Sequence, residues 1–391
     1  MQIPPHKELW SRDFVLFLGS TVLLWTSFYS LLATLPIYVV QHLAGSQTHV
    51  GLLSGLLTIT TVLSRPLAGY AVDRWGRRWI QLASLLLFCA IAFSYNLAQS
   101  LFTLFAIRLL HGIPFGIATT ASNTVAADLV PAARRGEGIG YFALAQTLAT
   151  AVGPALALTV LGNGQFARLF VVTGLIAVGG LVVASAIRYP AIRDPATMFS
   201  LRSLIERRVG WLSLAALFVA VSYGSVVSFI TLYAGELGIA HAGLFFSVYA
   251  AGLLLARLVT GQIFDQRGPR PVVAGSVGLL LVGYVVLALW QTELGFLCAA
   301  LLLGLGAVSP TLQAMAANMV PAARRGAANA TLFVCFDIGI GLGSYLLGER
   351  AQQAGSYATM YLVAGAILVI PALLFFLVVM PRYRVVREAQ S

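Results

Sequence analysis

The sequence predicts an all-α membrane protein, with twelve transmembrane helices in two pseudo-symmetric six-helix bundles. Three observations carry this reading. Charged residues make up 9% of the 391 residues against 59% hydrophobic, whereas a soluble domain has about a quarter of its residues charged. Twelve apolar runs approach or exceed the roughly 20 residues that a spanning helix needs. Two stretches of sequence also recur in the second half at nearly one spacing.

The runs fall near 14–40, 50–71, 79–98, 101–126, 138–161, 168–188, 211–234, 242–263, 272–291, 296–320, 327–348 and 357–380. Only Asn96 to Ser100 separates the third from the fourth, which predicts a tight hairpin. The 38 glycines suit helices packed closely in lipid. The polar start, Met1 to Asp13, passes directly into the first run, with no short apolar core followed by a small-residue cleavage site. No signal peptide is expected. Cys89, Cys298 and Cys335 each lie alone in an apolar run, so neither a disulfide framework nor a metal site is expected.

A net charge of +11 would point to nucleic acid in a soluble chain. Here its placement is topological. Of the 24 lysines and arginines, Arg65, Arg108 and Arg257 lie inside runs, and Arg168 and Arg350 lie on one set of loops. All the others fall on the opposite set, which includes both chain ends. By the positive-inside rule both termini are cytoplasmic. The longest polar stretch, Tyr189 to Gly210, divides residues 1–190 from 211–391, with 191–210 as a cytoplasmic linker. Leu201 to Arg208 within it is expected to form a short interfacial helix.

The halves repeat. Val130-Pro-Ala-Ala-Arg-Arg-Gly136 recurs word for word at Val320 to Gly326, 190 residues later. Arg65 to Gly76 and Arg257 to Gly268 both read Arg-x3-Gly-x3-Asp-x2-Gly, 192 residues apart. Six spans per half make these parallel repeats, related by an axis along the membrane normal, with a substrate site expected between them.

The residues Gly69, Asp73, Arg74, Gly76, Arg77 and Arg78, between the second and third runs, resemble the signature loop of the major facilitator superfamily. Gly261, Asp265, Arg267 and Gly268 resemble its second-half copy, with departures at Gln266 and Pro269 that imply a weaker latch. The expectation is a cytoplasmic gate. Gly69 would allow close helix approach, and Asp73 would pair with loop arginines or cap a facing helix. The alternative is that these charges only anchor the loop.

Further along, Arg108-x3-Gly112-x3-Gly116 resembles a superfamily motif whose arginine takes part in proton coupling. The alternative is a structural pair with carbonyls of the first or fifth helix. His111 lies one turn further and is a second coupling candidate or a quiet packing residue. Ala149-x3-Gly153-Pro154-x2-Ala157 resembles the antiporter motif of the 12-span drug:proton antiporters, with alanines at the outer glycine positions. It reads either as that motif or as an ordinary kinked packing helix.

Asp337 is the sharpest single candidate. Twelve residues past Arg325, it lies about 18 Å along its helix, near the midplane. A buried carboxylate shifts toward its neutral form and can load and unload a proton. The alternative is a helix–helix hydrogen bond. Asp128, flanking a cytoplasmic loop, completes the coupling set of Asp337, Arg108, His111 and Asp128. The cavity candidates are Thr26, Tyr29, Ser30, Thr34, Gln146, Thr150, Tyr223, Tyr233, Tyr249 and Gln313, drawn from polar and aromatic stripes at helical spacing.

No Gly-x4-Gly-Lys-Ser/Thr, Gly-x-Ser-x-Gly or His-Glu-x2-His motif is present. An enzyme is therefore not expected, and neither is a cofactor or metal. The resemblance implies a secondary transporter of a bacterial inner membrane that exports a hydrophobic or amphipathic drug or metabolite against protons by alternating access. Export of a metallophore or sugar, or flipping of a lipid-linked glycan, is the alternative. The expected partners are a small-molecule substrate, protons and membrane lipid, without nucleic acid, and the chain is expected to act as a monomer.

Overall fold

The computed structural model describes residues 9–131, 134–190, 205–321 and 324–383. Twelve helices among them are long and apolar enough to cross a membrane. We label them α1 (Arg12–His42), α2 (Gln47–Trp75), α3 (Arg77–Leu97), α4 (Leu101–Leu129), α5 (Arg135–Leu161), α6 (Phe166–Ser185), α7 (Arg207–Glu236), α8 (Gly243–Arg267), α9 (Pro269–Leu289), α10 (Glu293–Asn318), α11 (Arg325–Ala354) and α12 (Tyr357–Tyr383). Positions 201–204 of the expected interfacial helix lie outside the described residues; Arg207–Val209 form a 3₁₀ turn that leads into α7.

Helix ends follow local chemistry. Ser11, Ser100, Thr292 and Ser356 cap α1, α4, α10 and α12 by accepting backbone N–H groups that would otherwise lack a partner. Ser100 and Thr103 form a reciprocal capping box in the α3–α4 hairpin. The continuous run near 296–320 is broken: α10 stops at Leu305 and restarts at Ser309, where Pro310 removes a backbone donor.

Residue contacts separate the chain into two units, Met1–Leu43 with Ile59–Phe199, and Ala44–Thr58 with Ser200–Ser391. α2 is thus divided at Thr58. The first unit pairs α1 with α5 and α6, and α3 with α4 and α6. The second pairs α7 with α11 and α12, and α9 with α10 and α12. The pairings repeat with a shift of six helices, so the sequence repeat is also a packing repeat.

Small residues set the close approaches. A Cβ on Gly116 of α4 would meet the Thr61 carbonyl at 2.7 Å, and one on Gly252 of α8 would meet the Leu301 carbonyl of α10 at 2.7 Å. The first half of α2 belongs to the second unit for the same reason. Gly348 of α11 has room for no Cβ beside the Gln47 carbonyl, at 2.8 Å, and Gly51 lies on the Ser344 carbonyl. A buried hydroxyl chain adds direction: Ser54 to Ser228 at 2.8 Å, Ser228 to Ser344 at 2.9 Å, and Ser344 to the Gly224 carbonyl at 3.1 Å. In lipid, such contacts and hydrogen bonds carry helix association that the hydrophobic effect cannot.

Candidate functional sites

At the arginine-rich end of the first unit, α2 ends at Trp75 and α3 begins at Arg77. Gly76 joins them at φ 94°, ψ 151°, a region only glycine adopts readily. Gly268, its repeat partner, takes φ 77°, ψ −177° between α8 and α9. This conformation explains the glycine at the end of both signature copies. Gly69 is expected from the sequence to allow close helix approach, and Gly261 is its repeat partner. Among the described residues a Cβ at either glycine meets nothing within 4 Å.

Arg77 organises the first loop. Its side chain is 9% exposed and bridges Asp73 of its own loop, at 3.1 Å, and Asp128 at the end of α4, at 2.9 Å. Asp128, a coupling candidate by sequence, therefore shares one ion cluster with Asp73 and Arg77. Arg74 is held outside this pair, donating to the Tyr70 hydroxyl at 2.7 Å. In the second copy Asp265 and Arg267 are both exposed and make no ion pair among the described residues.

Arg108 and His111 are brought together inside the first unit. Arg108 is 1% exposed and donates to the Tyr95 hydroxyl at 3.3 Å. That hydroxyl lies 3.0 Å from His111 Nδ1, and Phe88 packs on the imidazole. The expected carbonyl partners on the first or fifth helix are replaced by Tyr95. Arg108 Nε and His111 Nε2 are buried without a hydrogen-bond partner. Composition and spacing gave no sign of Tyr95, because its role depends on the α3–α4 hairpin folding it back over α4.

The candidate stripe on α1 packs beside α5. Thr26, Ser30 and Thr34 are buried. The Ser30 hydroxyl donates to the Thr26 carbonyl and also reaches the Gly153 carbonyl of α5 at 3.1 Å, and Thr34 donates to Ser30. The Ser30 hydroxyl thus bridges the α1–α5 seam, where Gly153 lies 2.8 Å, measured from an added Cβ, from the Thr26 carbonyl, while the Thr26 hydroxyl is buried without a hydrogen-bond partner. Tyr29, beside Trp25 and Phe28, is only partly buried. Gln146 is partly buried and Thr150 is buried, its hydroxyl donating to the Gln146 carbonyl. Tyr233 is also an interior residue, donating to the Leu287 carbonyl at 2.9 Å in a cluster with Tyr357 and Tyr361.

In the second unit, Tyr223 of α7 stacks with Tyr249 of α8 at 6.2 Å and meets Phe336 of α11 at 6.3 Å. Asp337 follows Phe336 directly, and all four residues are only partly buried. Gln313 on α10 is partly buried too. The fold thus brings the candidates Tyr223 and Tyr249 together with Phe336, the residue that precedes Asp337 in the chain.

The Major Facilitator Superfamily profile matches residues 17–241 and 212–391. The chain belongs to the major facilitator superfamily. It is similar to a staphylopine export protein of Staphylococcus aureus, with 25% identity over 90% of this chain and 93% of the relative. It is also similar to the multidrug resistance protein MdtG of Yersinia enterocolitica, with 24% identity over 81% and 80%. Among solved structures, the nucleoside transporter NupG (D323A mutant) superposes with a TM-score of 0.77 at 14% identity, covering 93% of this chain and 99% of that one. A POT family transporter in complex with 5-aminolevulinic acid gives 0.78 at 16% identity, over 97% and 98%. Those likenesses establish the fold. Twelve spans and family membership make this a multi-pass membrane transporter.

Proposed function

We propose that the protein is a proton-coupled exporter of a bacterial inner membrane, with both termini cytoplasmic, acting on a hydrophobic or amphipathic small molecule by alternating access. One observation carries the reading. Among the described residues Asp337 is the acidic residue in the interior of a span, and it directly follows Phe336 of the Tyr223–Tyr249–Phe336 group in the second unit. A mid-span carboxylate that water reaches from either side can bind and release a proton. Aromatic faces suit an amphipathic solute. Opening to one side would load a proton; opening to the other would release it. Two relatives whose names specify export or drug resistance support the direction.

The test is proton flux in sealed liposomes holding the purified protein, on addition of lipophilic drugs or metallophores, with Asp337→Asn beside wild type. Substrate-evoked proton movement lost in Asp337→Asn upholds the assignment. Normal coupling in the variant would make Asp337 structural. A second reading, a dedicated exporter of one metabolite such as a metallophore, is favoured by the relative whose name specifies a single cargo.

A further inference from the structure

Among the described residues the first unit encloses a cation with no carboxylate beside it. Arg108 is 1% exposed and stands about 10 Å into α4 from Leu101. It forms no ion pair among the described residues. The acidic residues on the spans of this unit, Asp13, Asp73, Asp128 and Glu137, lie in terminal turns at the arginine-rich end. Asp128, further along α4, is about 30 Å away at 1.5 Å per residue, and it is already bridged to Arg77. Taking a charge out of water without a counter-charge is strongly unfavourable.

The hydrogens around Arg108 point the same way. A guanidinium donates and cannot accept, so the Tyr95 oxygen accepts from it at 3.3 Å. The single hydrogen of that phenol is then directed to His111 Nδ1, 3.0 Å away. An imidazole that accepts at Nδ1 carries its hydrogen on Nε2. Arg108 Nε and His111 Nε2 are therefore both donors, and neither has an acceptor among the described residues. The two residues stand one turn apart on one face of α4. Tyr95 and His111 are fully buried, with the Phe88 ring 4.3 Å from the imidazole and the Phe170 ring 5.7 Å from that of Tyr95. Two orphaned donors and an unbalanced positive charge thus share one enclosed corner of α3, α4 and α6.

We propose that this corner binds a small monovalent anion of chloride size, held by Arg108 and His111 as donors. A halide accepts from several donors at once and needs no acceptor of its own. Its charge offsets that of the guanidinium, and in a low-dielectric interior such a pairing is strong. A water would satisfy the donors but leave the charge unbalanced. The burial of Arg108 excludes a solute of drug size, so the ion is a resident part of the first unit. The assignment is independent of the transport reading above, and it gives Arg108 a fixed role in the fold.

The test is equilibrium binding of radioactive chloride to the full-length protein in detergent micelles. The protein is first exchanged into gluconate, and any chloride released on later denaturation is counted as bound. Wild type is expected to hold one chloride per chain, displaced by bromide and not by gluconate. It should also melt at a higher temperature as chloride replaces gluconate at constant ionic strength. Arg108→Met should abolish saturable binding. His111→Phe, which removes one donor and keeps a ring against Phe88, should weaken binding about tenfold or more, the loss of one hydrogen bond to a charged group. Arg168→Gln, which removes an exposed arginine of the same unit, should bind as wild type does. Elution as a single species checks that variants fold; if Arg108→Met fails this check, wild type and His111→Phe still decide. No bound chloride in wild type, or wild-type affinity in Arg108→Met or His111→Phe, would overturn the assignment. An equal loss in Arg168→Gln would reveal diffuse surface binding and overturn it as well.

Discussion

Removing the Arg77 guanidinium should uncouple α3 from α4 at the arginine-rich end of the first unit. Arg77 meets Asp128 at 2.9 Å with side chains 9% and 20% exposed, and Asp73 at 3.1 Å with Asp73 48% exposed. Breaking a fully buried pair by removing one partner costs about 3–5 kcal/mol, and an exposed pair contributes about 0–1 kcal/mol. Asp128 stands between these limits and Asp73 near the second. The expected coupling is about 2 kcal/mol for Arg77–Asp128 and about 0.5 kcal/mol for Arg77–Asp73. The assay is a pair of double-mutant cycles, Arg77→Met with Asp128→Asn and Arg77→Met with Asp73→Asn, read by equilibrium unfolding in mixed micelles. The Asp73 term should shrink in high salt and the Asp128 term should not, because screening acts on exposed charges. Additivity within about 0.5 kcal/mol for Arg77 and Asp128, or a larger coupling to Asp73, would refute the argument that burial ranks the two contacts.

Other substitutions test separate parts of the fold. Gly76→Ala and Gly268→Ala should each destabilise by about 1–3 kcal/mol, because both positions use backbone conformations that other residues rarely adopt; Gly69→Ala, where a Cβ meets nothing, should be neutral within about 0.5 kcal/mol in the same unfolding assay. Gly51→Ala should lower the melting temperature clearly, since its Cβ falls on the Ser344 carbonyl, while Gly55→Ala, with its nearest atom at 3.6 Å, should be tolerated. Glu206 gives a pH signature. Burial pushes its carboxyl up, but hydrogen bonds from Arg324 and the Arg208 amide, with both positive charges, outweigh this and hold it below the usual value of 4.5. Its stabilisation is full above that value and fades as pH falls through the folded one. Glu206→Gln should therefore remove part of the acid-side loss of stability below about pH 4.5 and lower stability at neutral pH.

The twelve spans were legible because each needs about 20 apolar residues, and charge or glycine marks most of the gaps. The break in α10 was not, since Gly306 to Pro310 remains apolar on average. Site residues divided by type. Ionisable groups such as Asp73, Arg77 and Asp337 stand out in an apolar chain. Hydroxyls do not: Thr26, Ser30 and Thr34 have the spacing of a cavity lining, yet the Ser30 and Thr34 hydroxyls are satisfied by a carbonyl one turn back or on a neighbouring helix, and only the Thr26 hydroxyl is left without a partner. Tyrosines are ambiguous for the same reason. Tyr233 spends its hydroxyl on Leu287, whereas Tyr223 stands with Tyr249 and Phe336. Periodicity separates faces of a helix but cannot say which face a neighbour covers.

The repeated words also conceal a division of labour. Asp73, Arg77 and Asp128 form an ion trio, and their repeat positions hold Asp265, Pro269 and Asn318. Proline and asparagine cannot rebuild it; Asn318 instead donates to the Tyr383 hydroxyl at 3.4 Å. The copies of Val-Pro-Ala-Ala-Arg-Arg-Gly diverge just beyond their last letter. Arg134 pairs with Glu137 on its own helix, both side chains over 40% exposed. Glu137 becomes Ala327, and Arg324 turns to Glu206 at the entry to α7, at 2.9 Å. That carboxylate is 9% exposed, and the Glu206 backbone N–H is taken by Thr331 of α11. An exposed pair within one helix contributes a few tenths of a kcal/mol, whereas the enclosed one ties the entry of α7 to α11. Duplication supplied the same arginine twice, and the residue after the repeated glycine decides whether it stays on its own helix or fastens two together.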